Sequence, residues 1–267
     1  MRDAWFDLAL GGTCAACGTP GRRLCRGCED ALPRTGYAVG PDPVPPGLVP
    51  SFAAAPYADP LRSLLIAHKE DRAFALAAPL GRVLAAVVGD GLDAVLDTGL
   101  GAGLGAGLGA GLGAGLGAGL GAGLADPESG SAELVLVPIP SSRAAVRARG
   151  HDPMLRMVRA AAAGLRNEGI AARAVPLLRQ RPGVRDQAGL DAASRAENLA
   201  GSLAVSRSAH RRLSGRRVLV VVCDDVITTG SSAREAQRAL EGIGLPPILV
   251  ATVAATRRKS AGAGGQG

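Results

Sequence analysis

One stretch constrains the fold of this chain more than any other, an apolar run followed by two acids and a Thr-Thr-Gly turn. Residues 217–232 read RVLVVVCDDVITTGSS. The uninterrupted β-branched run predicts a strand buried on both faces of a parallel sheet, because a strand with one solvated face alternates apolar and polar residues. The next residues, AREAQRALEGIG, have helical spacing and end at glycines. The chain is therefore predicted to have an α/β fold.

The turn between this strand and helix has the composition of a phosphate site. The N-terminus of a helix offers unpaired N–H groups and the positive end of the helix dipole, glycine lets the backbone come close, and hydroxyls add donors. An ordinary strand–helix unit with a Ser/Thr cap is the alternative, and a P-loop is excluded because the sequence has no Gly-Lys-Ser/Thr. The predicted phosphate-binding residues are Val226, Ile227, Thr228, Thr229, Gly230, Ser231 and Ser232.

Asp224 and Asp225 precede the turn and would repel a phosphate, so they are expected to face another part of the same ligand. Carboxylates only accept hydrogen bonds, and the diol of a ribose offers two donors to them. A Mg²⁺ ion that bridges to a diphosphate would offset the remaining negative charge. The predicted ligand therefore carries phosphate and sugar hydroxyls together.

The stretch CDDVITTGSS resembles the phosphoribosyl diphosphate (PRPP) motif of type I phosphoribosyltransferases, with an apolar strand, two acids, two apolar residues and Thr-Thr-Gly before Thr or Ser. Cys223 stands where that family usually has an aliphatic residue. We interpret this cysteine as a small buried hydrophobe.

A second motif near the N-terminus predicts a metal site. Cys14, Cys17, Cys25 and Cys28 form CAAC-x7-CRGC, the ligand spacing of a structural tetrahedral zinc site. Disulfides, a redox role or incidental cysteines are the alternatives. The first residues, MRDAWFDLAL, lack the long apolar core of a secretory signal, so we expect a cytoplasmic protein. A reducing compartment favours zinc over disulfides.

Composition divides the chain into segments. We predict a zinc ribbon over residues 1–33, a Pro/Gly-rich linker over 34–50, the main domain over 51–258 and a disordered tail over 259–267. The main domain is interrupted by a low-complexity insertion at 99–130 that holds six copies of Gly-Ala-Gly-Leu. The repeat is either a flexible insertion or a packed or membrane-associated helix, and its glycine content favours the insertion because glycine disfavours helices.

Polar residues follow a second predicted strand, Leu134 to Ile139. Ligands of α/β sheets bind beyond the carboxyl ends of strands, so the arginines after this strand are candidates for binding the diphosphate, with a solvated basic loop as the alternative. These are Arg143, Arg147 and Arg149. A later polar stretch is predicted to form an active-site flap, with Gln187, Arg195 and Asn198 as its candidate residues.

The order of these parts is similar to that of the ComF-type competence family, a branch of the type I phosphoribosyltransferases. After the four-cysteine segment, the resemblance covers a Tyr-x-x-Pro-Leu-Arg…His-Lys segment, a Val-Pro-hydrophobic-Pro strand with an Arg-Gly loop, a Gln…Leu…Arg…Asn stretch and the PRPP motif. The matching residues are Tyr57, Pro60, Leu61, Arg62, His68, Lys69, Val137 to Pro140, Arg149, Gly150, Gln187, Leu190, Arg195 and Asn198.

This resemblance implies a parallel sheet flanked by helices, with the zinc ribbon and N-terminal segment as a hood. It also implies that Asp224 and Asp225 bind the ribose hydroxyls and form the catalytic pair, that the turn binds the 5′-phosphate, and that the three arginines neutralise the diphosphate. Lys69 would reach the ligand from the hood.

Two functional classes remain open at this stage. The first is an enzyme that uses Mg²⁺ and PRPP, displaces diphosphate and acts on an acceptor that the sequence does not name. The second is an accessory protein in DNA uptake or nucleic-acid handling that uses the same fold for binding. Residues 131–267 carry 21 basic and 10 acidic side chains, and this basic half suits a polyphosphate ligand or nucleic acid equally. Residues 75–267 contain no Phe, Trp or Tyr for base stacking, which disfavours a single-strand channel. We predict no membrane partner, and the oligomeric state stays open.

Overall fold

The computed structural model describes residues 12–97, 132–181 and 201–256 of the 267-residue chain. The Gly-Ala-Gly-Leu repeat, the predicted C-terminal tail and the candidate flap residues Gln187, Arg195 and Asn198 lie outside the described residues.

Strands of two sheets organise the described residues. They are β1 (Tyr37–Val39), β2 (Ser51–Pro56), β3 (Glu133–Pro138), β4 (Ala172–Ala174), β5 (Leu178–Gln180), β6 (Leu203–Val205), β7 (Val218–Ile227) and β8 (Pro247–Ala255). The main sheet has six strands in the order β1-β2-β8-β7-β3-β4, and all its pairings are parallel except β1 with β2. β5 and β6 form a separate antiparallel pair. The prediction of an α/β fold with a mostly parallel sheet is confirmed.

Helices cover both faces of the main sheet. They are α1 (Arg26–Asp30), α2 (Leu61–Glu70), α3 (Ala77–Asp97), α4 (Arg143–Arg149), α5 (Pro153–Asn167), α6 (Arg207–Arg211) and α7 (Ser231–Glu241), with a 3₁₀ turn at Phe74–Leu76. α3 and α5 pack closely on one face, where a Cβ at Gly81 would lie 2.5 Å from the Cβ of Ala160. α6 and α7 contribute to the core on the other face.

Strand β7 lies at the centre of this arrangement and is buried on both faces, as its apolar run predicts. Leu219, Val221 and Cys223 belong to the core that contains α3 and α5, whereas Val220 and Val222 belong to the core that contains α7. Cys223 is completely buried, which agrees with its interpretation as a small hydrophobe. Because side chains alternate between the faces of a strand, a continuous apolar run is what two covering layers of helices require.

Helix α3 is long and apolar enough, together with the 3₁₀ turn before it, to cross a membrane by length and composition alone. Most of its apolar window, 61%, is buried inside the protein. Its neighbours are α5, β2 and β8, so it occupies the position of a core helix.

The N-terminal segments pack onto the main domain. Cys14, Leu24 and Leu32 of the cysteine-rich segment are buried in the same core as α3 and α5. Within the stretch predicted as a linker, β1 pairs with the edge of the sheet. The Gln237 side chain on α7 donates to the carbonyl of Gly47 and accepts from the N–H of Val49. The Pro-rich stretch is therefore bound along its length, because its polar backbone finds partners on the sheet edge and on α7.

Candidate functional site

The turn after β7 forms one wall of a small cavity at the carboxyl edge of the sheet. The cavity has a volume of about 110 Å³. The first N–H groups of any α-helix lack acceptors within the helix, so those of α7 are available to an anion here. The hydroxyls of Thr229 and Ser231 lie 3.0 Å apart and add donors. The lining residues are Asp224, Val226 to Ala233, Val250 and Thr252.

Strand β7 extends further than its apolar run, so the two acids lie inside it. Pairing with β8 continues from Asp224, opposite Thr252, to Ile227, opposite Ala255. Thr252 is completely buried and donates to the carbonyl of Phe52 on β2. Pairing with β8 therefore fixes the backbone of the acids at the edge where α/β sheets place ligands.

Gly230 ends the turn with a left-handed backbone, φ +71°. A Cβ there would lie 2.8 Å from the Cγ of Pro41 and 3.1 Å from the Cδ2 of Leu48. The sequence predicts that Gly230 lets the backbone approach a phosphate. In the structure, the atoms nearest to an added Cβ belong to the Pro-rich segment. Both observations favour glycine. A side chain would strain the backbone at this positive φ, and its Cβ would collide with Pro41.

The two carboxyl groups occupy different environments. Asp225 is buried, its Oδ1 accepts from the N–H of Val226 at 2.9 Å, and its Oδ2 forms an ion pair with Lys69. Asp224 lines the cavity, and its Oδ1 accepts from the N–H of Asp225 at 2.9 Å. Burial, followed by the negative charge of Asp225, raises the pKa of Asp224 well above its ordinary value. The ionised form of Asp224 is therefore unfavourable in the folded protein.

This environment predicts that Asp224→Asn stabilises the protein without ligand. A carboxyl whose pKa is raised on folding binds more protons in the folded state, so it reduces stability as pH rises above about 4 toward the raised value. Removing the charge should raise the melting temperature at pH 7.5 and flatten its dependence on pH. Thermal unfolding between pH 5 and pH 9 measures this effect. A lower melting temperature at pH 7.5, with unchanged pH dependence, would contradict it.

The basic residues predicted to bind the ligand are only partly brought together. Lys69, at the end of α2, reaches Asp225. Arg149 binds the neighbouring carboxylate of Glu70, with Nη2 at 2.7 Å. Arg147 is exposed on α4, and of Arg143 the structure describes only the backbone. The arginines lie on a helix and not on the solvated loop that was the alternative, and this helix is capped by Ser142, whose hydroxyl accepts from the N–H of Ala145.

A second cavity of about 220 Å³ adjoins the turn and was not foreseen from the sequence. It lies between β1 and the carboxyl ends of β7 and β8, and Tyr37, Pro41, Ile227, Thr228 and Thr256 are among its lining residues. Tyr37 is 44% exposed and supplies an aromatic ring to this edge of the sheet. Residues 75–267 contain no Phe, Trp or Tyr, and Tyr37, which precedes them in the sequence, lines this cavity. The only sequence signal was the tyrosine itself, in a stretch predicted as a linker.

A larger cavity, about 570 Å³, lies between α1, α3 and α5. None of the predicted site residues lines it, and its ionic groups include Glu29 and Arg82, which already pair with each other. We therefore place the candidate site at the smaller cavities, where helix N–H groups, hydroxyls and carboxylates converge.

The four cysteines predicted as zinc ligands come together. Their Sγ atoms all lie within 4.8 Å of one another, and those of Cys17 and Cys25 are 3.7 Å apart. A tetrahedral zinc–thiolate site requires sulfur separations of about 3.8 Å. All four are free thiols. A hydrogen bond from the Thr19 hydroxyl lowers the pKa of Cys17 to about 6, and a hydrogen bond with Cys25 raises the pKa of Cys28 to about 12. The cluster could bind a structural zinc, whose charge would stabilise all four thiolates.

Comparison with protein-family models and with curated proteins found no match to this chain.

Proposed function

We propose that this protein binds Mg²⁺–PRPP and transfers its phosphoribosyl group to an acceptor with release of diphosphate, as its resemblance to the ComF-type phosphoribosyltransferases implies. One observation carries the proposal. The cavity at the end of β7 is lined both by the first turn of α7, which suits an anion, and by the carboxyl group of Asp224, which suits hydroxyl donors. A phosphorylated sugar satisfies both groups at once.

Each part of the ligand has a counterpart in this proposal. The N-terminus of α7, with Thr228 to Ser232, binds the 5′-phosphate, and Asp224 and Asp225 accept hydrogen bonds from the ribose hydroxyls. Lys69, Arg143, Arg147 and Arg149 bind the diphosphate in this proposal. Carboxylate oxygens are the ligands that Mg²⁺ prefers, so Asp224 and Asp225, whose Oδ2 pairs with Lys69, would hold the ion. The ion would supply charge compensation for the diphosphate.

The reaction breaks the bond between C1 of the ribose and an oxygen of the diphosphate, and the electron pair leaves with that oxygen. A lone pair of the acceptor forms the new bond to C1. Negative charge grows on the leaving group, so fixed cations near it stabilise the transition state. We place the acceptor in the cavity beneath Tyr37, whose ring offers a stacking surface.

The test of this function is Asp225→Asn. We expect the wild-type protein to bind PRPP in calorimetry with Mg²⁺ present, and the variant to bind at least about tenfold more weakly, because an amide has one acceptor oxygen and lacks the charge. Asp30→Asn, on α1 beside the distant large cavity, is the matched control and should bind like the wild type. Release of diphosphate against a panel of bases and amines then identifies the acceptor.

Nucleic-acid handling is the second candidate function, and a basic surface favours it. Residues 206–217 carry five arginines and no acid. Arg207, Arg211 and Arg212 are exposed. This surface lies before the amino end of β7, opposite the candidate site. An absence of PRPP binding by the wild type, together with tight salt-dependent binding of DNA, would overturn the transferase in favour of this function.

A further inference from the structure

The last two residues of α2 connect two groups of the proposed site. Lys69 pairs with Asp225 on β7, and Glu70 pairs with Arg149, the last residue of α4. Both carboxylate oxygens of Glu70 are used, since Oε2 accepts from Nε at 3.1 Å and Oε1 from Nη2 at 2.7 Å. Glu70 has no role in the ligand contacts proposed above, so this two-point contact needs a separate explanation.

A two-point contact fixes the plane of a guanidinium group. Arginine loses its wide rotamer freedom when both Nε and Nη2 are held, and further N–H donors of the same group remain for an anion. Arg149 is 23% exposed, whereas the Glu70 side chain is 53% exposed. The arginine is therefore less accessible than the carboxylate that holds it. Without Glu70, a long flexible side chain would have to be ordered by the ligand itself.

The backbone around this pair is also fixed. His68, two residues before Glu70, is 2% exposed. Its Nδ1 lies 3.3 Å from the carbonyl of Ala73, and its Nε2 lies 3.0 Å from the carbonyl of Pro153. Pro153 begins α5, four residues after Arg149. The buried histidine therefore connects the end of α2 to the junction of α4 and α5, which holds Glu70 and Arg149 in register.

We propose that Glu70 is a positioning residue, which orients Arg149 toward the diphosphate of the ligand before the ligand arrives. This inference rests on the proposed function. The carboxylate acts only through the arginine. Removing the carboxylate should therefore weaken ligand binding only when Arg149 is present.

The experiment is a double-mutant cycle on affinity. We expect Glu70→Ala to weaken Mg²⁺–PRPP binding by about 5- to 30-fold, and Glu70→Gln, which keeps one acceptor oxygen, by less. In an Arg149→Met background, Glu70→Ala should have no further effect. Inorganic diphosphate serves as a second probe and should show the same pattern, because it contains the part of the ligand that Arg149 faces.

The matched control is Glu29→Ala, which removes a partly exposed glutamate from its pair with Arg82 far from the site and should leave both affinities unchanged. If the wild-type protein and Glu70→Ala bind PRPP equally well, this inference is wrong and the proposed function is unaffected. An equal loss in the wild-type and Arg149→Met backgrounds would also overturn it, since Glu70 would then act independently of the arginine. Wild-type protein that binds neither PRPP nor diphosphate would overturn the proposed function and this inference with it.

Discussion

Replacing Cys25 by serine is expected to remove one bound zinc ion and to destabilise the protein strongly. A hydroxyl is a poor zinc ligand, and the remaining three thiolates leave the tetrahedral site open. Structural zinc contributes about 10–16 kcal/mol to the folding of isolated zinc-finger peptides. In this protein Leu24 and Leu32 pack the cysteine-rich segment against the core, so its unfolding would uncover apolar surface on α3 and α5. Losing even about 3 kcal/mol would lower the melting temperature by about 10 °C.

Elemental analysis and thermal unfolding measure this prediction together. Cys223→Ala is the matched control, because Cys223 is a buried cysteine of β7 outside the cluster. It should retain the full zinc content, whatever its effect on stability. Purified wild-type protein with intact disulfides and no metal would show that the cluster is not a zinc site.

Gly230→Val is expected to have the second largest effect, on both stability and ligand binding. The residue adopts φ +71°, and the nearest heavy atom to an added Cβ is 2.8 Å away on Pro41. A β-branched residue in a left-handed conformation costs about 1–3 kcal/mol, and overpacking costs a similar amount again. We expect the variant to lose PRPP-induced thermal stabilisation, because the displaced turn no longer presents the N-terminus of α7.

Gly215→Val separates the two causes. Gly215 has a similar φ of +77°, but nothing lies within 4 Å of an added Cβ. This control should show only the cost of the backbone conformation and should bind PRPP normally. Equal destabilisation at both positions, with ligand binding retained in Gly230→Val, would show that the contact with Pro41 is unimportant.

Both predictions concern motifs that are visible in the sequence. The contacts that set the size of the expected stability losses are visible only in the structure. The spacing of the cysteines predicted the cluster, but not that Leu24 and Leu32 join the main core. The turn composition predicted a special glycine, but its steric neighbours are Pro41 and Leu48, nearly two hundred residues away in the chain. Steric contacts of this kind depend on which segments meet, and local composition does not specify that.

The prolines at 41–50 illustrate why the linker prediction missed a strand. Proline and glycine disfavour regular structure locally, so the composition favoured an irregular connection. A short edge strand tolerates such neighbours, because only one of its sides needs hydrogen-bond partners. β1 therefore forms by pairing with β2, and Tyr37 reaches the sheet edge as a consequence.

The sequence by itself determined the α/β class, the central strand with its turn and helix, and the cysteine cluster, because all three depend on periodicity or spacing over short distances. Only the tertiary structure decided which partners the charged side chains of the candidate site have. Glu70 and Arg149 are 79 residues apart, and Lys69 meets Asp225 from the other half of the chain. These pairs form because packing brings the end of α2 to the carboxyl edge of the sheet, and a charged residue on a helix end does not encode its distant partner.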